Sequence, residues 1–134
     1  MMGFSSFPLE NGAACDFVLG QREFASVDRN QATYLPTAAA MNMPYGLAVI
    51  GEQAAVADTA NSRLLGFDID RLSMNAAATH LTGQPGFGDK GDNRWGVARR
   101  DSVCWPYSIS AGVGGSTSVV SDSGNNRVLL WERA

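Results

Sequence analysis

Ala57-Asp58-Thr59-Ala60-Asn61-Ser62-Arg63-Leu64-Leu65 and Ser121-Asp122-Ser123-Gly124-Asn125-Asn126-Arg127-Val128-Leu129 are two versions of one pattern, with their aspartates 64 residues apart. Repeated units bury their apolar faces on one another, so the repeat decides the architecture. The echo extends outward in both directions. Val18-Leu19-Gly20-Gln21-Arg22-Glu23-Phe24 answers Leu81-Thr82-Gly83-Gln84-Pro85-Gly86-Phe87 at a spacing of 63, and Asn30 answers Asn93 at the same spacing. Pro44-Tyr45 answers Pro106-Tyr107 at 62, and Phe67 answers Trp131 at 64. The small changes of spacing place insertions and deletions in loops. Met1-Met2-Gly3-Phe4 falls 63 residues before Leu64-Leu65-Gly66-Phe67, so the sequence opens inside a unit.

Within each period the apolar runs are short and punctuated by Gly, Asn, Asp and Ser, which reads as antiparallel strands. Gly46–Ile50 and Ser108–Ala111 form the first run, and Ala54–Ala57 and Thr117–Val120 the second. Arg63–Phe67 and Arg127–Trp131 form the third, directly after the Asp-x-x-Asn-x-Arg turns. Asp16–Leu19 and Thr79–Thr82 form the fourth, each running into Gly-Gln. No long segment has a helical period. Ala38–Met41 could make one helical turn between Pro36 and Pro44. Four antiparallel strands per period with tight polar turns predict an all-β chain of propeller blades.

The residues that carry this pattern resemble the NHL-repeat β-propeller family. The likeness lies in Pro44-Tyr45-Gly46-Leu47-Ala48-Val49, in Val56 through Phe67, and in Leu19-Gly20-Gln21 running on to Phe24. It covers nearly the whole chain. In the second copy Ser108 stands in place of Gly46 and Ser121 in place of Ala57, as in a drifted blade. The resemblance implies a closed ring, usually of six blades, of which this chain supplies two. Residues 44–82 are expected to form the first blade and residues 106–134 three strands of the second. Residues 1–19 are expected to be the end of a preceding blade and a strand that completes a neighbour's blade. Bare sheet faces and an unpaired strand edge are aggregation liabilities. Head-to-tail association of three copies into a six-bladed ring is therefore the favoured assembly, a plan that some fucose-binding lectins resemble. A piece of a longer propeller is the alternative.

The formal net charge of −3 disfavours nucleic acid, which calls for a continuous basic surface. Lys90, Arg94, Arg99 and Arg100 cluster beside Trp95, the pattern of a solvated loop or of an anion or peptide contact. The first residues lack the pattern of a secretory leader, and no apolar run is long enough to cross a bilayer. Cys15 and Cys104 fall at strand starts on opposite ends of a meander, too far apart for a disulfide. They are expected to be free and mostly buried, which is compatible with a reducing, cytoplasmic setting.

Asp58, Asn61 and Arg63, with Asp122, Asn125 and Arg127, suit a structural role. Asp and Asn accept local backbone bonds in tight turns, and arginine pairs with a carboxylate and with carbonyls. Function is expected on the long loops 21–43 and 84–105, since long ordered loops often carry it. The candidate ligand contacts there are Tyr34, Tyr45, Trp95, Arg99, Trp105 and Tyr107, with Asn42, Met43 and Arg100 beside them. Wedging between blades is the alternative role for Tyr45, Trp105 and Tyr107. His80, the one histidine, falls on an outermost strand and not on an axis where a metal would sit. Gly83–Asp92 lacks the ordered acidic spacing of a calcium loop. No catalytic residue, metal or cofactor is expected. The function expected is binding or protein interaction without catalysis, toward a protein, peptide or small ligand. The alternatives are a carbohydrate- or small-molecule-binding ring and a fragment of a propeller lyase or hydrolase.

Overall fold

In the computed structural model, which describes residues 1–132, the chain folds as three small antiparallel sheets joined by loops and single 3-10 turns. The first sheet pairs β1 (Met2–Gly3) with β2 (Phe17–Val18). The second is a meander of β3 (Pro44–Ile50), β4 (Gln53–Asp58), β5 (Arg63–Asp68) and β6 (His80–Thr82). The third repeats its first three strands as β7 (Pro106–Ala111), β8 (Thr117–Asp122) and β9 (Arg127–Glu132). Residues 133–134, assigned above to the last sheet, lie outside the described residues.

The repeat read from sequence recurs in the backbone. Pro44 and Pro106 begin equivalent strands, where proline's missing N–H costs no ladder bond, and each is followed by a register shift. Ser62 and Asn126 take the same left-handed conformation, at φ 50° and 53°. The first sheet obeys the same rule. Met2 faces Val18 and Gly3 faces Phe17, as Leu65 faces Leu81 and Gly66 faces His80, with every pair shifted by 63 residues. The strand at Asp16–Leu19, expected to complete a neighbour's blade, is therefore paired within its own chain with β1, the counterpart of β5. The local reason is the Gly3 position: a Cβ there would run into the Phe17 ring, and without one the two strands close up. The helical turn predicted over Ala38–Met41 does not form. Ala40 instead makes a parallel bridge to Gly20, and 3-10 turns sit at Arg29–Ala32, Thr59–Asn61, Ile69–Arg71, Asp92–Trp95 and Ser123–Asn125.

Two cores stack on either side of the second sheet. Phe17, Leu19 and Met41 pack against Val56, Leu65 and Phe67 on one side. Ile109 and Val120 pack against Ala55, Ala57 and Leu64 on the other. Each large apolar side chain so buried is worth about 1.5–3 kcal/mol. Burial on both faces suits β4 and β5, which read as nearly unbroken apolar runs; along β9 burial alternates residue by residue and leaves Val128, Leu130 and Glu132 exposed. The innermost strands β3 and β7 approach so closely that a Cβ on Gly46 would lie 2.9 Å from the Ser108 Cα and the Ile109 nitrogen. Gly46→Val should therefore cost about 1–3 kcal/mol in urea unfolding, the usual penalty of overpacking. Ser108→Val, on an exposed position of β7, should stay within about 0.5 kcal/mol. Equal effects of the two changes would contradict the close packing of these strands.

Candidate functional site

The polar turns between β4 and β5, and between β8 and β9, are built alike and define one end of the sheets. Asp58 and Arg63 are fully buried and joined Oδ2 to Nε at 2.6 Å. The remaining oxygen of Asp58 accepts the Asn42 N–H at 2.7 Å, and Asn61 Nδ2 donates to Oδ2 at 2.8 Å. Arg63 spends its other donors on loop carbonyls: Nη2 on Thr37 and Ala40, Nη1 on Phe87. Asn61 and Asn30 exchange amide bonds in both directions. The second copy repeats these contacts. Arg127 pairs with Asp122 at 2.7 Å and donates to the Arg99 and Ser102 carbonyls; Cys104 N–H donates to Asp122, and Asn125 exchanges bonds with Asn93. Burial pushes the Asp58 carboxyl up from the ordinary carboxylate range, and Arg63, Asn61 and the Asn42 N–H pull against it. With both charges and their hydrogen bonds matched, these six residues tie the long loops to the sheet corners. Asn30 and Asn93 share that task; the signal for them was their spacing of 63, within one residue of the spacing of 64 between the turns they serve.

Because Asn42 and Cys104 are held this way, the chain is delivered to the first residues of β3 and β7 at the same end. Met43 and Trp105 each turn through a left-handed conformation, at φ 54° and 47°. Tyr45 and Tyr107 then stand side by side, ring centroids 4.9 Å apart and tilted by 50°. Trp105 adds a third ring 6.4 Å from Tyr107. Tyr45 is 56% exposed and Tyr107 43%, so these two rings form a surface, whereas Trp105 is half-buried. Tyr34 and Trp95 lie apart from them, on a cleft of about 330 Å³ lined also by Leu35, Gln84, Lys90 and Arg94. The Lys90 ammonium sits 3.7 Å from the Tyr34 ring centroid, a cation–π contact between the two loops that the sequence reading did not pair. Arg99 and Arg100 are exposed. Arg94 is instead engaged with Asp101 at 2.8 Å and with the Gly83 carbonyl.

The other reactive side chains stay apart. His80 is exposed on β6 and meets Gln53 and Thr79. Cys15 and Cys104 are free, and each is half-buried where fuller burial was expected. Among the described residues no three His, Cys, Asp or Glu side chains gather where they could hold a metal ion. A scan against protein-family models and a search of curated proteins both match nothing to this chain. The loop end thus offers what a recognition surface needs: exposed aromatic faces, a cation, and rigid backbone beneath them.

Two expectations follow. Arg63→Ala strands a buried carboxylate and should cost about 3–5 kcal/mol in chemical denaturation. Arg127 is 29% exposed, so water reaches the charge left behind, and Arg127→Ala should cost roughly half as much. Equal losses would show that the buried pair is no stronger a constraint than the exposed one. Burial first, then the negative charges of Asp92 and Asp122, push the Cys104 thiol above its ordinary range. A raised thiol stays protonated at neutral pH, so iodoacetamide should label Cys104 slowly and faster as pH rises. Asp92→Asn should speed that labelling at a given alkaline pH; an unchanged rate would remove Asp92 from the account.

Proposed function

We propose that the chain is a non-enzymatic binding module, an NHL-type propeller unit that presents a protein or peptide partner with the loop end of its sheets. The observation that carries the reading is the exposed, touching pair of Tyr45 and Tyr107 at the start of the two innermost strands, with the half-buried Trp105 ring beside it. Aromatic side chains give large contact area at low cost in conformational entropy, which is why they anchor interfaces. The repeated strand registers and turn networks support the propeller part of the proposal. Arg99, Trp95 and the Lys90–Tyr34 pair would form the rim of such a surface.

A second reading, a small-molecule or carbohydrate site between sheets, is favoured by one feature. Where Phe17 and Leu19 fill the space between the first and second sheets, the positions one period later are His80 and Thr82. A cleft of about 410 Å³ remains there, walled by Ile50, Ile109 and Trp131. A peptide library and a glycan array probed with the protein separate the two readings. Peptide binding that weakens more than about tenfold in the Tyr45→Ala, Tyr107→Ala double variant supports the first. Glycan binding indifferent to that change but lost in Trp131→Ala supports the second. Silence on both surfaces would reject both.

A further inference from the structure

We propose that a second copy of this chain docks its third sheet against β2, with β9 taking the pairing edge that β1 now holds. The first ground is register. β1 and β9 both correspond to β5, at spacings of 63 and 64, and β2 corresponds to β6. The ladder that joins Leu65 to Leu81 would thus join Leu129 of one copy to Val18 of the other. Among the described residues β9 is paired on one side only, by β8, and offers a six-residue edge of unused backbone groups. β1, two residues long, is a weaker occupant of the same place.

The second ground is a set of unmade bonds that complement one another. Arg63 Nη1 donates to the Phe87 carbonyl, but among the described residues Arg127 Nη1 has no acceptor and the Phe24 carbonyl, one period before Phe87, has no donor. Gln84 Nε2 donates to the Ser62 carbonyl as well as to Gly91, whereas Gln21 Nε2 reaches only Asp28, the counterpart of Gly91. In the docked pair Arg127 would find Phe24, and Gln21 would find the carbonyl of Asn126. The third ground is continuity with the interface already present between the second and third sheets. Ile109 is buried there, but its counterpart Leu47 is exposed, with Val49 beside it, on the side of the second sheet that the docked copy would cover. Val128 is exposed on the outward face of β9 that would meet them.

One residue opposes the exchange. Leu130 stands where Gly3 leaves room for the Phe17 ring, so the ring must turn aside for β9 to enter. β1 therefore acts as a built-in competitor that holds the edge until another copy displaces it.

Sedimentation equilibrium of the full chain over a wide concentration range tests this directly. The mass should rise from one chain toward a multiple. Gly3→Val, which drives β1 off the Phe17 ring, and Leu130→Gly, which clears the ring's path, should each lower the midpoint concentration about tenfold. Leu130→Lys should raise it by at least as much. Leu130 is 68% exposed, so its two variants keep the test in force should Gly3→Val fail to fold. A single-chain mass at every concentration, or association that all three changes leave unmoved, would overturn the proposal.

Discussion

A carboxylate and a guanidinium withdrawn from water at a sheet corner impose the strictest demand in this molecule. Removing each charge from solvent costs several kcal/mol, and the mutual attraction offsets that only if every remaining donor and acceptor is matched. Asp58 and Arg63 meet the condition by recruiting Asn42, Asn61 and the carbonyls of Thr37, Ala40 and Phe87. Apart from Asn61, which belongs to the turn itself, those partners come from two long loops without regular strands. The pair thus does more than close a turn: it fixes where the loops run and where the chain enters β3, as Asp122 does for β7 through the Cys104 N–H. The stacked Tyr45 and Tyr107 rings are a downstream consequence of a buried charge.

The same device appears twice, and the differences between its copies follow from position. The second sheet is covered on both faces, so its turn is dry and its strands are apolar throughout. The third sheet is covered on one. Its turn lets water reach Arg127, and its outward face has changed character: Gly46, Ala57 and Gly66 are answered by Ser108, Ser121 and Leu130. Ser108 and Ser121 hydrogen-bond each other across that face at 2.9 Å. Polar substitution suits a sheet face left open to water. The exposed Val128 and Leu130 run against that trend, and they lie where a further strand would be received.

Much of this was legible in the residues. Strand positions from Pro44 to Glu132 followed from short apolar runs between Gly, Asn and Asp clusters, because tight turns draw on few residue types. The structural duty of Asp58, Asn61 and Arg63 was legible too, since an arginine directly after a tight Asx turn has its carboxylate within reach. Two things were hidden. The pairing of β1 with β2 joins residues separated by an irregular stretch, and only the shared 63-residue shift hints at it. The meeting of Lys90 with Tyr34 depends on how two loops without period or motif approach each other in space. Among the candidate contacts, sequence placed Tyr45, Trp105 and Tyr107 at strand starts. It could not say that the Tyr45 and Tyr107 rings would be exposed and Trp105 half-buried, because an aromatic there can as easily pack inward.

The account turns on the first corner being dry and fully bonded while the second is wet. Exchange of the arginine Nε protons with water, followed by nuclear magnetic resonance at neutral pH, reads this without altering the protein. The Arg63 proton, held by Asp58 at 2.6 Å in a buried site, should persist as a sharp signal that exchanges slowly. The Arg127 proton, on a side chain open to solvent, should exchange markedly faster. Equally rapid exchange of both would contradict the claim that a sealed charge pair organises the loops.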